Sequence, residues 1–401
     1  MPDRPLIIHI ITRLEPGGSS RNTIDSCAAQ AADYDVALLA GPHPDSAQLL
    51  KLLPPTVNYI EIKDLRREIS SAHDFKALRE IRAVIKRLNP AIVHTHTSKA
   101  GALGRLAASM ANLGASRPAV IIHTPHGHLL YGYYGPFKTF TFRLAERFLA
   151  KFTDRLIALT KGELQESCAA GIGRPKQWTV IHSGVDFKPP AVPAHKRDLD
   201  IPADALAVGT VARLETVKGV EYLVRAAALL AKSVPAIKLK FVIIGGGELE
   251  GPLRALAAEL GVADRVIFTG FRRDATALAA ALDIYAQPSL NEAMGRAPLE
   301  AQALGLPVVV SRVCGLPDII KEGSTGFSVK PADAQALAAG LEKLILSPDL
   351  RARMGAAAKV WALEKDATGF PRFGPESMNI QLKKFYNELI RGQAEGTTFH
   401  G

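Results

Sequence analysis

The chain has 401 residues, a length that predicts two domains or one large one. Hydrophobic residues make up 47% and charged residues 22%, a balance that excludes a disordered chain, a collagen-like chain and a disulfide mini-scaffold. Net charge is +10 and unevenly placed: residues 1–190 hold 24 basic and 16 acidic side chains, against 25 and 23 in the rest. A basic first half predicts an anionic partner (a membrane, a nucleic acid or a phosphorylated substrate) or else a solvated basic helix face. No apolar run approaches the ~18 residues of a spanning helix. Cys27, Cys168 and Cys314 are far apart, predict neither a zinc site nor a disulfide framework, and fit a reducing cytoplasm.

The N-terminal apolar run, broken by His9 and closed by Arg13, is a poor signal peptide and a good first strand over Leu6–Thr12. Pro16-Gly17-Gly18 follows, then a helix from about Asn22. Val36–Ala40, Val57–Ile62, Ile92–His94, Val120–His123 and Arg155–Ala158 read as further strands. Apolar residues at 75, 78, 81, 84, 85 and 88 predict a helix ending at Asn89-Pro90, and Lys99–Met110 predicts another. Four prolines among charges make 189–205 a linker. Alternation restarts with strands at Leu206–Val211, Leu239–Ile244, Arg265–Phe268, Ile284–Gln287, Pro307–Ser311 and Phe327–Val329. Helices are expected at Val220–Lys232, Asp333–Leu346, Leu350–Trp361 and Glu376–Ile390. Strand–helix alternation at this spacing predicts two α/β domains with parallel sheets.

The strongest chemical signal is Pro288 to Glu300, after the strand 284–287 and so at the carboxyl end of a parallel sheet, where such sheets bind ligands. With Pro298 as a first helical residue, the amides of Met294, Gly295, Arg296 and Ala297 point into the crevice and favour a phosphate. Glu292 before this helix and Glu300 in its first turn can accept hydrogen bonds from paired hydroxyls. A phosphate-binding turn between two carboxylates suits a nucleotide-sugar; the alternative is a solvated loop Glu and a Glu favoured by the helix dipole. Arg213 at a strand end and Lys218 before a helix could hold a diphosphate. Gly17-Gly18 and Gly245-Gly246-Gly247 follow strands and permit close backbone approach, or form simple tight turns. Neither GxGxxG nor a P-loop is present. His94, His96, His123, His126 and His128 form a histidine-rich rim; without a Cys, Asp or Glu at ligand spacing, no metal site is expected. Asp33/Asp35 and Asp198/Asp200 read as surface turns. Leu129–Phe152 interleaves five Phe and three Tyr with Lys138, Arg143, Arg147 and Lys151, which suits an anionic membrane surface or a core helix packing its Phe inward.

Taken in order, these motifs resemble the retaining glycosyltransferases of family four, or group one, over nearly the whole chain. Glu292 and Glu300 resemble that family's E-x7-E motif, Thr210–Gly219 its Arg-Leu…Lys-Gly segment, and Gly17-Gly18 its N-terminal glycine loop. Val180–Asp186, Gly305–Val309 and Gly315–Asp318 also fit. The resemblance implies an α/β GT-B fold: two facing Rossmann-like domains with parallel sheets and a C-terminal helix crossing back to the first. The domains implied are 1–188 for acceptor, with 373–393 packing back, the linker 189–205, and 206–372 for donor.

The resemblance further implies that Arg213 and Lys218 hold the diphosphate, Glu292 faces the transferred sugar, Glu300 the ribose and His126 the donor sugar from the first domain. The base would meet backbone near Gly270–Arg272. Cofactors and metal are not expected; retention by front-face attack needs no protein nucleophile. Ala293 and Cys314 stand where the family usually has Gly, and Cys314 is tolerable unless its φ must be positive. The function expected is transfer of a sugar from a nucleotide-diphosphate donor, a UDP-sugar, to a hydroxyl acceptor such as a lipid-linked saccharide in cell-surface polysaccharide synthesis. The protein would be cytoplasmic, peripheral on the inner face of the plasma membrane through 129–152, with no nucleic-acid partner. The alternatives are a nucleotide-sugar epimerase of the same fold and a non-catalytic nucleotide-sugar binding protein.

Overall fold

A computed structural model of the chain describes residues 4–395; residues 1–3 of the expected first domain lie outside the described residues. The chain forms two compact units. The first comprises residues 4–130, 136–184 and 375–395, the second residues 131–135 and 185–374.

The first unit holds β1 (Leu6–Arg13), β2 (Asp35–Gly41), β3 (Asn58–Glu61), β4 (Ile92–His96), β5 (Val120–Thr124), β6 (Arg155–Ala158) and β7 (Trp178–Val180). All pairs are parallel, in the order β3-β2-β1-β4-β5-β6-β7. Both faces are apolar because both are covered. Ile7 and Ile11 pack with the helices Gly18–Gln30 and Pro375–Ala394, while Ile8 and Ile10 pack with Ser71–Leu88 and Ser98–Asn112. The helix Ser71–Leu88 buries Ala77, Ile81, Val84 and Ile85 and stops at Asn89, whose left-handed φ of 46° and following Pro90 end it as expected. The final helix begins at Pro375 and buries Met378, Leu382, Phe385, Tyr386 and Leu389 against this sheet.

The second unit holds β8 (Leu206–Val211), β9 (Leu239–Ile244), β10 (Val266–Phe268), β11 (Ile284–Gln287), β12 (Val308–Ser311) and β13 (Gly326–Val329), again wholly parallel, in the order β10-β9-β8-β11-β12-β13. Asp333 and Ser347 cap the helices Ala334–Leu346 and Pro348–Ala362 by accepting from Ala336 and Leu350 amides. In each sheet the strand order reverses beside the first strand, between β1 and β4 and between β8 and β11. Ligands bind α/β sheets at the carboxyl ends on either side of such a switch point.

The stretch 189–205 is not a free linker. It belongs to the second unit, where the Ala194 amide donates to the Ala277 carbonyl, Lys196 pairs with Asp283 at 2.7 Å, and Lys196–Leu199 forms a helical turn. Its prolines shape a strap along the unit rather than a spacer. The first helix starts at Gly18, not Asn22, and β4 extends to His96.

Candidate functional site

In the second unit, β8 gives way to Ala212-Arg213-Leu214-Glu215 and a helical turn, Thr216–Lys218. Gly219 closes the turn with φ 60°, and a Cβ there would lie 2.2 Å from the Pro288 carbonyl oxygen, so only glycine fits. The Leu290 amide donates to the Val217 carbonyl at 2.7 Å. The Lys218 turn is thus fastened to the loop after β11, and Lys218 Nζ lies 2.5 Å from Glu292 Oε2. Arg213 sits 3.1 Å from Glu215, a carboxylate overlooked in the sequence. The structure therefore brings Arg213, Lys218 and Glu292 to the ends of β8 and β11, with each cation on a carboxylate.

Gly295 caps the helix Arg296–Ala303 with φ 80°, and a Cβ there would meet Leu316 at 2.6 Å. The first four N–H groups of any helix lack intrahelical acceptors, so the amides of Arg296 and Ala297 face the crevice end of the helix. Pro298 is the third helical residue rather than the first, still within the turn where a missing N–H is harmless. Glu300 is the fifth, one step past the first turn. Burial pushes its carboxyl up, while Arg296 and a Thr276 hydroxyl 3.5 Å away pull it down. Ala293 and Met294 are buried, which leaves only backbone for a ligand to meet. Cys314 has φ 42°, so this position does take the left-handed conformation that favours glycine.

At Gly245, Gly246 and Gly247 the absence of a side chain lets the chain's own backbone approach closely. Added Cβ atoms would fall 2.0 Å from Ala212 O, 3.1 Å from Phe271 N and 2.6 Å from Leu214 O. They let the loop after β9 press against the Arg213 loop, where the Leu214 amide donates to Gly246 O. Arg272 is exposed and forked onto Asp274 at 2.8 and 2.7 Å.

A buried relay escaped the sequence reading. Tyr285 OH lies 2.9 Å from Gln287 Oε1, Gln287 Nε2 donates to Ser289 Oγ at 2.7 Å, and Ser289 Oγ donates to Glu292 Oε2 at 3.5 Å. The alternating positions 285, 287 and 289 prolong one face of β11, the only available signal for it. Asn291, also buried, donates to the Tyr131 carbonyl at 2.9 Å. Nearby Tyr133, though 43% exposed, has its phenol pushed up by partial desolvation first and then by the charges of Glu292 and Glu215.

In the first unit, the expected histidine rim is an interior cluster. Parallel register sets His9 beside His94 and His96 beside Thr124, all on one sheet face. His9 Nε2 is 2.8 Å from Gln30 Oε1 and His9 Nδ1 is 2.9 Å from His96 Nε2. His96 Nδ1 is 2.9 Å from His126 Nε2. His94 bonds Tyr386 OH at 2.5 Å and Thr124 Oγ1 at 2.8 Å. Burial lowers His9 to about 4 and holds His94 and His96 well below the usual imidazole range. The nearest ligand atoms of His9, His94 and His96 lie within 4.8 Å of one another, close enough to hold a metal ion. His123 points to the other face, against Thr95, and His128 pairs with Glu166 at 2.6 Å.

His126 is half-buried in a turn with φ 57°. Fully buried Glu163 fastens that turn by accepting from the Gly127 amide at 2.8 Å and the Leu159 amide at 2.7 Å. Thr160-x-x-Glu163 is a helix-start signature that could have pointed to it. Gly17 has an extended φ of 163° and nothing within 4 Å of an added Cβ; it precedes the helix that begins at Gly18.

The helix Pro136–Leu149 turns most of its Phe outward: Leu149 is its one fully buried residue and Phe142 is half-buried. Phe137, Phe140, Leu144 and Phe148 are 82%, 47%, 44% and 53% exposed, a stripe along one helix face. No helix among the described residues is long and apolar enough to cross a membrane.

Two wholly parallel α/β units with cationic loops at a switch point suit a phosphate-bearing ligand, and the comparisons with known proteins supply the class, the glycosyltransferases. Family models agree: "Glycosyltransferase Family 4" matches residues 16–188 and "Glycosyl transferases group 1" matches residues 192–361. An Escherichia coli protein named UDP-Gal:alpha-D-GlcNAc-diphosphoundecaprenol alpha-1,3-galactosyltransferase is 31% identical over 307 residues, 75% of this chain and 77% of that one. The D-inositol 3-phosphate glycosyltransferase of Corynebacterium glutamicum is 34% identical over 275 residues, 65% of this chain and 63% of that one. Anabaena Alr3699/HepE, solved with UDP and glucose, shares the fold with a TM-score of 0.78 at 22% identity, over 96% of this chain and 100% of that one. The chain belongs to the group 1, family 4 glycosyltransferases and is a glycosyltransferase of the GT-B type.

Proposed function

We propose that the enzyme moves a hexose from a UDP-sugar to a hydroxyl of a lipid-linked saccharide, with retention and without metal, in cell-surface polysaccharide synthesis at the inner membrane face. The observation that carries this reading is the convergence of Arg213, Lys218, Glu292 and the Gly295-capped helix at one switch point. Arg213 and Lys218 trade their carboxylate partners for the diphosphate, and the Arg296 and Ala297 amides add donors. Together they stabilise charge growing on the leaving group, a task a metal performs elsewhere. Glu292 receives hydroxyls of the transferred sugar and Glu300 those of the ribose. In front-face attack, the acceptor oxygen bonds to the anomeric carbon as the bond to phosphate breaks. The acceptor proton passes to a phosphate oxygen of the leaving diphosphate. The apolar stripe on Pro136–Leu149, flanked by Lys138, Arg147 and Lys151, suits an anionic membrane carrying the acceptor. The name of the Escherichia coli relative, with its UDP-sugar and diphosphoundecaprenol, favours the same substrate classes.

A thermal-shift panel of UDP, GDP, ADP and their sugar conjugates, with and without EDTA, tests the reading. Stabilisation by uridine compounds alone, unchanged by EDTA, is expected. Stabilisation by another base, or its loss in EDTA, would overturn the donor or the metal-free part. Vesicles of phosphatidylglycerol should bind the protein at low salt; failure removes the membrane part.

A further inference from the structure

The buried histidines of the first unit form a chain whose protons can be counted. Its links are Gln30 Oε1 to His9 Nε2, His9 Nδ1 to His96 Nε2, and His96 Nδ1 to His126 Nε2, at 2.8, 2.9 and 2.9 Å. A neutral imidazole carries one N–H and one acceptor nitrogen. Gln30 Oε1 can only accept, so the His9 proton sits on Nε2. His9 Nδ1 is then an acceptor and must receive from His96 Nε2. His96 Nδ1 is in turn an acceptor and must receive from His126 Nε2. Three neutral rings supply three protons for three links, and every proton points inward toward Gln30.

We infer that Gln30, His9 and His96 act as positioning residues that lock His126 in its Nε2–H tautomer, so that Nδ1 is the ring's hydrogen-bond acceptor. The burial that holds His9 and His96 neutral keeps a fourth proton from entering and reversing a link. The Glu163 clasp on the Gly127 amide fixes the turn that presents the ring. A metal at His9 and His96 would use the nitrogens that these links occupy, and the complete set of links favours the relay over an ion. For the reaction, resting on the placement of His126 toward the donor sugar that the family resemblance implies, the consequence is directional: the neutral His126 ring receives a hydrogen bond from a sugar hydroxyl and gives none through Nδ1.

Long-range 1H–15N correlation spectra of the 15N-histidine-labelled, donor-free full chain read the tautomers directly, since protonated and bare ring nitrogens resonate far apart. His9, His96 and His126 are expected as neutral Nε2–H rings at pH 7. An Nδ1–H or mixed His126, or a metal bound to these rings in the purified protein, overturns the lock. This measurement needs no variant. The Gln30→Met variant, which removes the terminal acceptor, should give His126 a mixed tautomer and lower kcat about tenfold with donor KM within about twofold. A pure Nε2–H His126 in that variant also overturns the lock. A mixed tautomer with unchanged kcat leaves the lock standing and overturns the placement of His126 at the donor sugar.

Discussion

The two sheets end in different chemistry at corresponding places. Beside the switch point of the first, a relay of imidazoles runs from Gln30 through His9 and His96 to His126. Beside that of the second, Tyr285, Gln287 and Ser289 run to Glu292. Both relays link buried polar groups in series, and both end on a candidate site residue. The first, however, is built from groups that titrate within a few units of neutrality; the second keeps its charge only at its end. In the imidazole chain the order of the inner links fixes the tautomer inferred for His126, whereas the second chain supplies Glu292 with a neutral hydroxyl donor.

The sharpest way to break this comparison is acid. His9 titrates near 4 in the fold against about 6.5 unfolded, so below pH 6.5 the unfolded chain binds a proton the folded one refuses. Its contribution is whole above pH 6.5 and declines as pH falls to about 4, by about 3 kcal/mol. His94 and His96 add to the same slope. Trp178 lies in the first unit and Trp361 in the second, so fluorescence of a Trp361→Phe variant follows the first unit alone. Denaturant midpoints should fall from pH 7 to 5, and His9→Gln should flatten the slope. An unchanged midpoint would mean the relay does not stay neutral.

Next in size is Lys218→Ala. It should slow transfer about 100-fold, equivalent to about 2.7 kcal/mol of barrier, while leaving melting within a few degrees. Normal turnover would take the diphosphate away from the second switch point. The smallest expected effect is at Cys314. Its φ of 42° disfavours any side chain, so Cys314→Gly should stabilise the second unit by about 1 kcal/mol and raise Tm by about 2–4 °C. A lower Tm would show that the thiol's packing outweighs the backbone strain.

The sheets were legible because their strands are apolar runs covered on both faces, and periodicity alone located most of them. Strand β7 was missed since three residues at a sheet edge carry no periodic signal. Strand β4 looked two residues short because His94 and His96 imitate a polar strand end; they are buried because they bond to Tyr386, Thr124, His9 and His126 instead of water. Arg213, Lys218, Glu292, Gly295 and Glu300 lie on short contiguous motifs and could be picked out. Gln30 could not, since it acts through a partner supplied by tertiary pairing; the Thr160-x-x-Glu163 signature marks a helix start but gives no sign that Glu163 also holds the Gly127 amide. The glycines after β9 were legible as glycines, but their close approach to the Ala212 and Leu214 backbone was not, since that neighbour is supplied by sheet pairing. The aromatic helix left two readings that only its exposure separates.

Glu163 has a consequence of another kind. One carboxylate closes the turn before His128 and the end of β6 together, yet it lies fully inside the unit. A change there alters where the imidazole of His126 points without altering any group at the rim. With His126 at the donor sugar, as the family resemblance implies, substrate preference can be retuned at a residue that no substrate reaches. Comparing rim residues alone would score two such enzymes as identical.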